Sequence, residues 1–193
     1  MENLRRVLRS QQFSREWMEG WLFAHTDKLR ALMADSESRL GLRKLLEGKI
    51  LLSLFFEPSS RTRFSFEIAA SRLGMTTLST ENADVFSSFA KGESLEDGIE
   101  VLSGFRPDVI VMRHHETGSV EKAAAACSVP IINAGDGKGQ HPTQALLDLY
   151  TIKRELGQID DLTVVLGGDL ANGRTVRSLA YLLSKFRGIK LVF

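Results

Sequence analysis

The stretch Ile50-Leu51-Leu52-Ser53-Leu54-Phe55-Phe56, followed by Glu57-Pro58-Ser59-Ser60-Arg61-Thr62-Arg63, decides how this chain is read. The run from Ile50 to Phe56 is apolar except at Ser53, has the length of a strand, and is ended by Pro58. A strand this apolar is buried on both faces, the pattern of a parallel sheet covered by helices. Arg63 to Leu73 reads as a helix closed by Gly74, and Met75 to Ser79 as a short strand. The first unit is therefore β-α-β.

Toward the N-terminus, Ser14 to about Met33 carries apolar residues at helical spacing (Trp17, Trp21, Leu22, Leu29, Leu32), and Ser36 to Leu46 repeats the pattern before Gly48. Toward the C-terminus the elements alternate. A helix over Ser94 to Phe105 precedes a strand at Asp108 to Met112; a helix over Ser119 to Cys127 precedes a strand at Pro130 to Asn133. Gly135-Asp136-Gly137-Lys138-Gly139 is a loop, because so many glycines are costly in either regular state. Pro142 opens a helix to about Leu156, and Thr163 to Leu166, Thr175 to Lys185 and Lys190 to Phe193 repeat the β-α-β scheme. The expected fold is α/β: a parallel sheet flanked by helices over residues 1–156, then the start of a second α/β domain over 157–193. A lone β-α-β unit leaves sheet edges and an outer helix face without partners, so this second domain is expected to be truncated.

Composition narrows the class. The 193 residues carry 25 Lys+Arg against 24 Asp+Glu, a formal net charge of +1, so no global field draws the chain to nucleic acid or an anionic membrane. Any anion affinity must be local. A chain this long buries about 70% of its unfolded surface and needs no staple. Cys127 is the single cysteine, which excludes an internal disulfide framework and a four-thiolate zinc site; following four alanines, it reads as a packed small residue. Met1 to Ser10 lacks the apolar stretch of a signal peptide, and no run reaches a membrane span. The expectation is a soluble, cytoplasmic protein of a reducing compartment.

In open α/β sheets ligands bind beyond the carboxyl ends of the strands, and four strands here end in polar clusters. They are Glu57 to Arg63, Arg113-His114-His115, His141-Pro142-Thr143-Gln144 beyond the glycine loop, and Asp169 to Arg174. In a single sheet the first three converge on one rim. Hydroxyls and arginines at a strand-to-helix turn suit a phosphate, which the helix dipole and free N–H groups favour and Arg61 can hold bidentately. A serine cap with solvated arginines is the plainer reading of Ser59 to Arg63 alone. His141, expected at the cap of its helix, and Gln144 can hydrogen-bond the oxygen and the amide nitrogen of one small substrate; a capping histidine beside an exposed glutamine is the plainer alternative. Arg113, at a strand mouth, needs solvent or an anion. His114 and His115 read as surface residues, since no metal-ligand spacing accompanies them. Glu57 would repel a phosphate unless neutralised, and Arg174 is its expected partner. Ser87 to Glu93 reads as an exposed loop whose apolar residues, Val85, Phe86 and Phe89, pack against something, a neighbouring subunit being one candidate.

Phe55 to Glu67, with its Ser-x-Arg-Thr-Arg core, resembles the signature of the aspartate/ornithine carbamoyltransferase family. Its companions match too: Ser87 with Lys91-Gly92-Glu93, Val111-Met112-Arg113-His114, His141 to Asp148, and Gly168-Asp169-Leu170 with Gly173-Arg174-Thr175-Val176 and Ser178. Phe64 and the last group are closer to the aspartate than the ornithine branch, and the chain is read as resembling an aspartate carbamoyltransferase catalytic chain. The resemblance implies carbamoyl transfer from carbamoyl phosphate to the amine of L-aspartate, giving N-carbamoyl-L-aspartate and phosphate for pyrimidine synthesis. It implies that Ser59, Ser60, Arg61 and Thr62 hold the phosphate with Arg113. Thr62, Arg113 and His141 polarise the carbonyl, Gln144 binds the carbamoyl nitrogen, and Arg174 contacts a carboxylate of aspartate. Ser87 and Lys91 reach an adjacent subunit's site, so a homotrimer with shared sites is implied, with no metal or other cofactor and with room for a regulatory or pathway partner.

The chain departs from that family in ending at Phe193, before a complete second domain with its further aspartate-binding arginine, Gln and Leu-Pro loop. The 193-residue chain is therefore expected to keep part of the carbamoyl phosphate site with little turnover. Ala171-Asn172 stands where some members have Lys-Tyr. An ornithine or other amino-acid carbamoyltransferase, or a non-catalytic anion-binding or oligomerising fragment, remain the alternatives at this point.

Overall fold

The structure, a computed structural model, describes residues 4–83 and 88–193. Its main sheet has five parallel strands in the order β1-β5-β4-β2-β3: β1 (Arg6–Val7), β2 (Ile50–Phe55), β3 (Thr76–Glu81), β4 (Val109–His114) and β5 (Ile131–Asp136). A second sheet pairs β6 (Thr163–Val165) with β7 (Lys190–Val192), also in parallel. The helices are α1 (Arg15–Trp17) continuing through a π-helical turn (Met18–Phe23) into α2 (Ala24–Ala34), then α3 (Ser36–Leu42), α4 (Ser60–Arg72), α5 (Leu95–Gly104), α6 (Ser119–Ala126), α7 (Pro142–Leu156) and α8 (Arg174–Leu183). The parallel α/β architecture matches the expectation.

Period-two alternation distributes the strand side chains. Leu54, Phe56, Ile110, Met112 and Ile131 face α5 and α6, joining Ile99, Val120, Ala123 and Cys127 in one core. Leu51, Phe55, Val111 and Ala134 face the other way, against Ala70 and Phe66 of α4. Arg113 shares the parity of Val111 and so emerges on the α4 face. A third core binds Phe13, Met18 and Phe23 to Ala145, Leu149 and Tyr150 of α7 and to Leu182 and Leu183 of α8. That layer seats the 157–193 segment on the main body, and Arg15 secures it by hydrogen bonds to both oxygens of Asp160, each 2.9 Å.

Several boundaries differ from expectation for identifiable reasons. β1 was not foreseen; it is two residues long, and its hold on the sheet is long-range, through Asn133 Nδ2 donating to Leu8 O at 2.9 Å and Arg6 to Cys127 O at 2.9 Å. α3 stops at Leu42, not Leu46, because Leu46 N–H is drawn to Leu73 O, 2.9 Å away at the end of α4. There Gly74 (φ +89°) cannot be replaced, since a Cβ would lie 1.8 Å from Arg43 O. β4 runs on through Arg113 and His114. β5 takes in Gly135 and Asp136, which their glycine-rich surroundings place in the loop. Side-chain bonds offset the glycine's cost: Gly135 N donates to Asn133 Oδ1 at 2.7 Å, and the buried Asp136 carboxylate accepts from Gly118 N at 2.9 Å and Gln140 N at 2.7 Å.

One smaller expectation is corrected and another is met in part. His114 is buried at 6% exposure, its ring 4.7 Å from that of Phe56 and its Nδ1 accepting Glu116 N–H; only His115 is exposed. Phe89 packs against something, as expected: its own chain, with its ring 5.0 Å from that of Phe56. Val85, Phe86 and Ser87 lie outside the described residues. Among the described residues no helix is long and apolar enough to cross a membrane, and no group of three or more His, Cys, Asp or Glu could hold a metal ion.

Candidate active site

β2, β4 and β5 are neighbours at the centre of the sheet, so their carboxyl ends meet. α4 follows β2, and its N-cap Ser59 (φ −161°, ψ 76°) makes no side-chain cap bond, leaving the hydroxyl beside the first-turn N–H groups. A plain serine cap is thus not what the turn contains. α7 begins at Pro142 with His141 at the cap, again without a side-chain cap bond, and α8 begins at Arg174 after an uncapped Gly173. None of these three helices has an acidic residue in its first turn. Each of the other α-helices described does: Glu16, Asp27, Glu37, Glu96 with Asp97, and Glu121. An acid in the first turn neutralises the helix dipole. Here it is withheld from the three helix starts that share one rim.

That rim encloses a cleft of about 670 Å³. Ser59, Arg61, Thr62, Arg113, His141, Gln144 and Arg174 all line it, so the residues expected from four separate stretches are brought together. Ser60 is exposed and does not line it, and Lys91 is exposed at the end of a 3-10 turn (Ser88–Lys91) away from it. Ser87 lies outside the described residues. The β4–β5 register shifts between Met112 and His114, at Arg113, and such irregularities re-aim a side chain.

Glu57 organises the cations. Its Oε1 lies 2.6 Å from Arg113 Nε and 2.7 Å from Arg174 NH2. The expected Glu57–Arg174 pair is present, and Arg113 joins it. The Arg113 Nε–H is turned off the line to that oxygen, making this a close ion contact rather than an aligned hydrogen bond. Burial pushes the Glu57 carboxyl up, but the Arg174 hydrogen bond and the two guanidinium charges outweigh it and leave it below the usual carboxylate range. Arg113 is depressed by burial and by Arg174, with Glu57 opposing. Arg174 also donates to Gly137 O at 2.8 Å. Arg61, in contrast, makes no hydrogen bond or ion pair among the described residues.

His141 is 5% exposed, and burial, then the charges of Arg113 and Arg174, hold its pKa down at about 4. It is a neutral imidazole near pH 7. Its Nδ1 lies 3.4 Å from Thr143 Oγ1; with the hydroxyl donating to Nδ1, the ring proton sits on Nε2. Its backbone N–H donates to Ser178 Oγ at 3.1 Å, and Ser178 donates to Gln140 Oε1 at 3.1 Å, tying the cap to α8. Thr143, Asp148 and Ser178 were not foreseen as site residues. A signal existed for Asp148, four residues after Gln144 on one helix face.

A cleft lined by cationic side chains and by three helix starts without acidic residues favours an anion. Comparison with known proteins is concordant: residues 5–154 match the model of the aspartate/ornithine carbamoyltransferase, carbamoyl-P binding domain. The chain belongs to this family. It is 53% identical over 188 residues to the chloroplastic aspartate carbamoyltransferase of Oryza sativa subsp. japonica, covering 97% of this chain and 51% of that one. With the aspartate carbamoyltransferase catalytic subunit of Methanocaldococcus jannaschii it shares 55% identity over 150 residues, 78% of this chain and 48% of that one. The structure superposes on Trypanosoma cruzi aspartate transcarbamoylase, solved in complex with carbamoyl phosphate and aspartate, with a TM-score of 0.87 and 42% identity, covering 97% of this chain and 56% of that one. The chain thus spans about half the length of the relatives it matches.

Proposed function

We propose that the whole protein transfers the carbamoyl group of carbamoyl phosphate to the amine of L-aspartate, giving N-carbamoyl-L-aspartate and phosphate for pyrimidine synthesis. The observation that carries this reading is the convergence of three acid-free helix starts with Arg61, Arg113 and Arg174 on one cleft. The proposed division has residues 1–156 as the carbamoyl phosphate domain and 157–193 as part of the aspartate domain.

Ser59, Thr62 and the first-turn N–H groups of α4, Ser60 included, receive the phosphate, with Arg61 binding it bidentately and Arg113 assisting. Thr62, Arg113 and the neutral His141, donating from Nε2, face the carbonyl oxygen. Gln144 binds the carbamoyl nitrogen. Arg174 is released from Glu57 to take a carboxylate of aspartate. The deprotonated amine attacks the carbonyl carbon, charge grows on the carbonyl oxygen and the leaving phosphate, the C–O bond to phosphate breaks, and the departing phosphate takes the proton released by the amine nitrogen. Donors fixed at those positions stabilise that charge without reorganising, each worth roughly 2.7–4 kcal/mol. A neutral imidazole with a low pKa donates a hydrogen bond without adding a charge that would bind product phosphate more tightly. The reading needs no cofactor. A homotrimer, with Ser87 and Lys91 serving an adjacent site, fits the position of Lys91 outside its own cleft. The single buried Cys127 suits a reducing, cytoplasmic setting, and a regulatory or pathway partner is compatible with this reading.

Titration with a bisubstrate analogue carrying phosphonate and aspartate moieties, beside an assay of carbamoyl-aspartate formation, tests this. The 193-residue chain is expected to bind carbamoyl phosphate and to turn over poorly, with aspartate preferred over ornithine in the whole protein. Absence of carbamoyl phosphate binding refutes the reading.

A further inference from the structure

Asp148 is a second carboxylate in a cleft built for an anion. It lines the cavity half-buried, one turn beyond Gln144 on α7. Glu57 has two guanidiniums to neutralise it; among the described residues Asp148 has none. Among the described residues its hydrogen-bond partner is the Gln144 amide, whose Nε2 donates to Asp148 Oδ1 at 2.8 Å. Burial raises the Asp148 carboxyl above its ordinary range, and the Gln144 bond holds it back. A negative charge here weakens the cleft for a dianion, so its presence has to serve something else.

A glutamine amide has two faces, one that donates and one that accepts, and a half-turn about its last bond exchanges them. An ionised carboxylate only accepts. Placed four residues on, it selects the orientation in which NH2 faces Asp148 and the carbonyl oxygen faces away. No described residue donates to that oxygen, and Gln144 lines the cleft.

We propose that Asp148 is a positioning residue: it fixes the Gln144 amide so that the cleft presents a carbonyl oxygen, and not an NH2 group, to the amino group of a carbamoyl ligand. This rests on the carbamoyl phosphate reading above and adds the origin of its selectivity for an amino substituent. Acetyl phosphate, in which a methyl group replaces that amino group, has nearly the same shape and charge. It cannot donate to Gln144.

The test measures dissociation constants for fresh carbamoyl phosphate, acetyl phosphate and inorganic phosphate on the 193-residue chain and on Asp148→Ala, Asp148→Asn, Asp148→Glu and Gln144→Ala, with circular dichroism and thermal melting as folding controls. One neutral hydrogen bond sets the parent's preference for carbamoyl over acetyl phosphate at about tenfold. Asp148→Ala brings that ratio to about one or two, as Gln144→Ala does, while inorganic phosphate binds as well or better. Asp148→Glu, still an acceptor only, keeps most of the preference. Asp148→Asn, which bonds either face of the amide, lowers it, and decides the matter should Asp148→Ala not fold. A preference retained in both the Ala and Asn variants overturns the proposal, as does loss of inorganic phosphate binding in step with the preference, which is the mark of a merely structural role. A parent that binds carbamoyl phosphate no better than acetyl phosphate defeats the underlying reading itself, an outcome visible before any variant is made.

Discussion

Arg174, the first residue of α8, donates to Glu57, the residue after the β2 core, across 2.7 Å of space and 117 positions of sequence. The same carboxylate lies 2.6 Å from Arg113. Glu57 therefore already supplies a negative charge to both guanidiniums that line the cleft.

Replacing Glu57 with Ala removes that counter-charge and leaves Arg113 and Arg174 repelling one another. The unliganded protein is expected to lose about 1–3 kcal/mol of stability. Phosphate, supplying the missing charge, should raise the melting temperature more in Glu57→Ala than in the parent. Thermal melts with and without phosphate check both halves; equal ligand shifts would contradict the internal competition.

Arg61 is exposed and unpaired among the described residues, so it contributes to ligand and not to fold. Arg61→Ala should weaken inorganic phosphate binding by roughly 1.5–3 kcal/mol, the worth of charge-assisted bonds, with thermal stability nearly unchanged. Calorimetric titration and a melt on the same sample read the two quantities.

His141 links stability to pH. Its folded-state pKa, about 4, lies below the unfolded value of 6.5. Between those values the unfolded chain binds more protons, so the neutral buried ring contributes stability fully above about pH 6.5 and loses it as pH falls toward 4, by at most about 3 kcal/mol. His141→Gln should flatten this part of the stability–pH curve. The imidazole signal in a proton NMR titration should not move between pH 8 and 5.5.

Gly135 sits with φ +116°, where a built Cβ would lie 3.1 Å from Arg174 Cζ and Nε and 3.3 Å from Arg113 NH1. Gly135→Ala adds backbone strain of about 1–3 kcal/mol and displaces both guanidiniums. A lower melting temperature together with weaker phosphate binding is expected. The pairing of the two effects distinguishes it from Arg61→Ala.

How far the sequence carries depends on the range of the forces involved. β2 and β4, apolar runs buried from both sides, and α7, with Pro142 at its first position, are local patterns and were legible. So was the meeting of Ser59, Arg61, Thr62, Arg113, His141 and Gln144, because a parallel sheet sends every strand to the same rim. β1 and the continuation of β5 through Gly135 were not, since distant partners and the Asp136 carboxylate hold them. His114 was misplaced for the same reason: burial against Phe56 is a tertiary event with no periodic signature. Sharing of Glu57 by two arginines needs the third core, which packs α8 against α7.

The three helix starts at the cleft have a lasting consequence. Much of the positive potential there comes from peptide groups, about half a unit charge per helix, and no side-chain replacement deletes it. Drift at any one arginine dims the attraction for phosphoryl groups without extinguishing it. To go fully blind to them, the molecule has to come undone.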